Sequence, residues 1–160
     1  MSLVSVLALL SQRKRHLEII NTKTEKMNTQ ELRLGNIIKV VEGDRQCTVI
    51  GIKPGAIRVN LEVVKGHFVT DEAELFSGIP LNEGWFIRFG FEEKKENTGP
   101  PINEELTSFV LSGYEFSKDT GGYWYLCGYN WNTKRFKCVH QLQNIFFAIA
   151  GEELTLKENI

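Results

Sequence analysis

The chain has 160 residues, 42% hydrophobic and 24% charged, proportions usual for a globular domain and enough for one good core or two small ones. A formal net charge of −1 supplies no global field to draw in nucleic acid, and three cysteines (Cys47, Cys127, Cys138) are too few and too irregular for a disulfide framework. No apolar run reaches the length of a membrane span, so no membrane partner is expected, and a reducing cytoplasm is the expected location.

Residues 1–26 differ in composition from the rest of the chain. The short apolar run Leu3–Leu10 is followed, not preceded, by Arg13, Lys14 and Arg15, which is the wrong order for a secretory leader. This segment is expected to be an upstream extension of the reading frame, disordered or loosely helical, with a membrane-surface helix as the alternative. It holds five basic and two acidic side chains; the rest keeps 14 basic and 18 acidic ones, a net of −4.

Residues 27–78 are expected to form a small β unit. Ile37–Val41, Gln46–Ile52, Ala56–Leu61 and Gly66–Val69 read as strands separated by the turns Glu42-Gly43-Asp44 and Lys53-Pro54-Gly55. Short strands on tight Gly turns suggest an SH3-like barrel or a twisted meander, with Gly35 and Gly51 marking bends.

Residues 79–160 are expected to form a second unit, with one core shared with the first as the alternative. Within 80–91, Asn82 caps and Gly90 stops a short helix whose Trp85, Phe86 and Phe89 form an aromatic plug between the β unit and the C-terminal half. The charged, Pro/Gly-broken stretch 92–105 reads as a solvated loop. Strands at Phe109–Phe116, Tyr123–Tyr129 and Lys134–Val139 then make a three-stranded meander.

An amphipathic helix closes the pattern, with Val139, Leu142, Ile145, Phe146 and Ile149 on one side and His140, Gln143, Asn144 and Phe147 on the other. Gly151 sits where a helix ends, and Leu154 can fold back across the last turn. The fold class is therefore α+β.

The chemistry-bearing residues do not assemble into a reaction. Cys127, Cys138 and His140 lack the close pair that structural zinc prefers, and buried cysteines explain them as well, so no metal is expected. No Gly-x-Ser-x-Gly turn or phosphate-cradling Gly loop is present, no acid is placed to orient His140, and no cofactor or catalytic residue is expected. The acidic pairs Glu92-Glu93, Glu104-Glu105 and Glu152-Glu153 read as solvated charge.

Aromatic residues give the strongest interaction signal. Strand alternation sends Tyr123, Tyr125 and Cys127 to one face and Trp124, Leu126 and Gly128 to the other, and a helix can cover only one of them. The other would present Tyr rings near Lys134, Arg135 and Lys137, with Trp131 close in sequence. Rings beside cations can stack single-stranded nucleic acid, but cross-strand aromatic ladders that only stabilise a sheet are commoner. On the helix, His140, Asn144 and Phe147 form a second candidate surface.

Three pieces of the chain resemble a family of small uncharacterised bacterial and phage-borne proteins. They are Glu31-Leu32-Arg33-Leu34-Gly35-Asn36; Ile79-Pro80-Leu81-Asn82-Glu83-Gly84-Trp85 with Phe89-Gly90-Phe91; and Val139-His140-Gln141-Leu142-Gln143-Asn144, continuing into Phe147-Ala148 and Gly151-Glu152-Glu153-Leu154. The resemblance covers about residues 28–154 and implies a start near Met27. The sequence departs at Gly84, where a better helix former is expected. The family carries no established activity, so the resemblance implies an origin on a phage or mobile element and no reaction.

The expected function is that of a non-enzymatic accessory protein binding another protein through its barrel or exposed aromatic sheet face. Single-stranded nucleic-acid binding through Tyr123, Tyr125, Trp131 and the basic trio is the alternative, and an enzyme centred on His140 is a third reading. The sequence leaves the oligomeric state open.

Overall fold

A computed structural model describes residues 27–61, 68–97, 105–128 and 134–157; the expected extension at 1–26 and Trp131 lie outside these. The chain divides into two units at Gly78/Ile79. The architecture is α+β, with two antiparallel sheets and two α-helices.

Alternating apolar residues build the first sheet. Strands β1 (Ile37–Val40), β2 (Gln46–Lys53), β3 (Ala56–Leu61), β4 (Phe68–Glu72) and β5 (Phe76–Ser77) pair in the order β4-β3-β2-β1-β5. Ile38, Cys47, Val49, Ile57 and Val59 point to one face and pack with Leu32, Ala73 and Phe76. Met27 packs against this cluster too. A 3-10 turn at Ala73–Leu75, not expected from the sequence, carries the chain from β4 to β5. The ladder slips between Val49 and Gly51, a β-bulge at one of the two glycines expected to mark bends. No closed barrel is found among the described residues.

The second unit opens with helix α1 (Glu83–Phe89). The Asn82 side chain accepts from the Trp85 N–H at 3.3 Å, and Gly90 ends the helix at φ +88. The plug it carries packs on the sheet of its own unit: the Phe86 ring lies 4.8 Å from Phe109 and 4.5 Å from Trp124.

That sheet has four strands, β6 (Glu92–Asn97), β7 (Glu105–Leu111), β8 (Tyr114–Lys118) and β9 (Trp124–Leu126), in sequence order. Three expectations change here. Residues 92–97, expected as loop, form an edge strand whose charges replace the alternation usual in a strand; charged edges discourage further strand pairing. The expected strand Phe109–Phe116 is a hairpin, turned at Ser112 (φ 52) and Gly113 (φ 83) with Leu111 opposite Tyr114. Two positive φ values in a two-residue loop suit the right-handed twist of the flanking strands. The expected strand Lys134–Val139 shrinks to two bridges, Trp124 with Phe136 and Pro80 with Cys138.

Helix α2 (Val139–Ala150) covers the same sheet face as α1. Its Phe146 ring meets Phe91 at 5.9 Å and Tyr114 at 6.0 Å, and the Tyr114 hydroxyl donates to the Ile149 carbonyl at 2.9 Å. The buried side is Val139, His140, Leu142, Gln143 and Phe146, rotated from the expected stripe; Ile145 and Ile149 are only half-buried. The returning C-terminal segment explains the rotation. Gln143 Nε2 donates to the Leu154 carbonyl at 3.4 Å, and Leu154 is itself buried.

The same segment reaches α1, where the Lys157 N–H donates to the Arg88 carbonyl at 2.9 Å. The Lys157 side chain fills the space that a Cβ on Gly90 would need, with Nζ 2.7 Å from that position. Gly90→Ala is therefore expected to displace Lys157 and to add the roughly 1–2 kcal/mol that a left-handed backbone costs an L-residue. Urea denaturation checks it; an unchanged midpoint would contradict this packing.

Candidate functional site

The sheet of the second unit has one face under the helices and one without them. Phe109, Phe116, Trp124 and Leu126 fill the covered face. Across the other run two cross-strand rows set by the register, Lys94–Ser108–Ser117–Tyr125 and Glu92–Val110–Glu115. Cys127 joins the second row through its N–H, which donates to the Glu115 carbonyl at 2.7 Å.

This outer face is polar and ion-paired. Lys94 Nζ lies 2.6 Å from Glu96 and 3.7 Å from Glu115, and the Ser108 hydroxyl donates to Glu115 at 2.6 Å. Burial pushes the Cys127 thiol up, with the Ser117 hydrogen bond and Lys94 opposing and Glu115 assisting. Burial also raises the Tyr125 phenol, as do Cys127, Asp119 and Glu115, against a hydrogen bond to Ser117.

A raised folded-state value means that the native protein holds the proton more tightly than the unfolded chain. The associated stability is complete below the unfolded thiol's range and is lost as pH rises through the raised folded value. Cys127→Ala should thus flatten the alkaline decline in melting temperature. An equally steep decline in the variant would contradict the assignment.

At one end of this face the candidate residues meet. The antiparallel bridge of Trp124 with Phe136 sets Tyr123 across from Lys137 and Tyr125 across from Arg135. Lys137 Nζ stands 6.0 Å from the Tyr123 ring centroid, within cation–π range. Arg135 Nε lies 3.1 Å from Asp119 Oδ2, and Asp119 Oδ1 accepts from the Tyr123 N–H at 2.9 Å. Tyr123 is 40% exposed and Tyr125 is half-buried, whereas Lys134 is exposed but, by strand alternation, falls on the side of Phe136 and away from Arg135 and Lys137. Lys118, also exposed, stands opposite Trp124 with its Nζ 5.7 Å from that ring, which places it on the other face of the sheet from this cluster.

The helix candidates do not join them as a surface. His140 is only 4% exposed, and Asn144 and Phe147 are half-buried. Two further polar residues of the helix serve structure. Gln141 Oε1 accepts from the N–H groups of Lys137 (3.0 Å) and Cys138 (3.2 Å), satisfying donors at the helix start, while Gln143 holds the returning segment. Among the described residues no group of three or more His, Cys, Asp and Glu side chains is placed to hold a metal ion. No helix among them is long and apolar enough to cross a membrane.

The first unit exposes apolar side chains at Leu34, Ile50 and Ile52. Ile50 is the residue displaced by the bulge, and Gly35, next to Leu34, donates its N–H to the Val49 carbonyl at 2.8 Å. Comparison with known proteins finds no matching family model, no matching curated protein and no matching solved structure.

Proposed function

We propose that this chain is a non-enzymatic, cytoplasmic accessory protein of a phage or mobile element that acts by binding another protein. The observation that carries the reading is the division of labour in the second unit. Gln141 and Gln143 of α2 are spent on capping and on tethering the C-terminal segment, whereas Tyr123, Tyr125, Arg135 and Lys137 gather on the sheet face that the helices leave uncovered.

For the first unit we propose a partly open SH3-like barrel. Its support is the strand order β4-β3-β2-β1-β5, the bulged second strand and the 3-10 turn before β5. The phage origin rests on the resemblance of the three sequence pieces, and the cytoplasmic location on the free thiols of Cys47, Cys127 and Cys138.

Single-strand nucleic-acid binding shares the Tyr-and-cation corner but needs successive open stacking platforms. Tyr125 is half-buried with Asp119 and Glu115 beside it, an environment that repels phosphate. An enzyme around His140 needs an imidazole that can reach substrate, and this one is buried.

Affinity capture from the native host with the full chain, then reconstitution from purified components, tests the reading. One protein in stoichiometric amount, forming a nuclease-resistant complex, is expected, together with no measurable binding of a short oligonucleotide at physiological salt. Salt-sensitive oligonucleotide binding, abolished by Tyr125→Ala, would overturn it, since counterion release marks phosphate contacts.

A further inference from the structure

We draw no further inference here: the strongest candidate, the exposed apolar pair Leu34 and Ile50 beside the bulge of β2 in the first unit, carries nothing because nothing among the described residues shows what covers it.

Discussion

Phe86→Ala is expected to be among the most damaging single substitutions in the second unit, costing about 3–5 kcal/mol, the range for emptying a buried aromatic site. Phe86 is fully buried, and its ring stands within 6.1 Å of the rings of Phe91, Phe109, Phe116 and Trp124, so it touches both the segment after α1 and three strands of the sheet. Those neighbours come from separate backbone segments held by their own ladders, so the void cannot close by one local shift. Chemical denaturation followed by tryptophan fluorescence measures the loss. A cost below about 1 kcal/mol would mean that the plug does not sit in the core.

Leu142→Ala is expected to cost about 2–5 kcal/mol, because Leu142 is completely buried on α2. Its polar neighbours grade the same helix. Gln143→Ala should cost about 1–3 kcal/mol, since it removes the donor to the Leu154 carbonyl and leaves a buried acceptor unmet. Asn144→Ala, at a half-buried position, should cost less than about 1 kcal/mol. Equilibrium unfolding of the three variants checks the order Leu142, Gln143, Asn144. If Asn144→Ala proves the most damaging, the helix faces the sheet through a different side.

Legibility in the sequence depends on which physical signals are local. Helix α1 announces itself because Asn82 and Gly90 are its own caps, and β1 to β3 because Ile38, Cys47, Val49, Ile57 and Val59 alternate between tight turns. Strand β6 has no such signal: it lies at a sheet edge, and its charged side chains remain exposed. The Ser112-Gly113 turn is hard to see because Ser seldom occupies a positive-φ position, so the pair looks like the middle of an apolar strand.

The buried side of α2 departs from the expected stripe for a nonlocal reason. Nothing between His140 and Asn144 foretells that Leu154 returns to accept from Gln143, which makes an amide part of the core. The corner of Tyr123, Arg135 and Lys137 is foreshadowed by strand alternation, but its Asp119 anchor depends on the turn between β8 and β9.

Hydrogen–deuterium exchange on the full chain, alone and in complex with its captured host protein, tests the central claim most directly. Binding at the uncovered sheet face is expected to slow exchange at residues 117–125 and 134–137 while leaving residues 141–150 at their free-protein rates. Protection confined to 141–150, or to β2 of the first unit, with residues 117–137 unchanged, would contradict it.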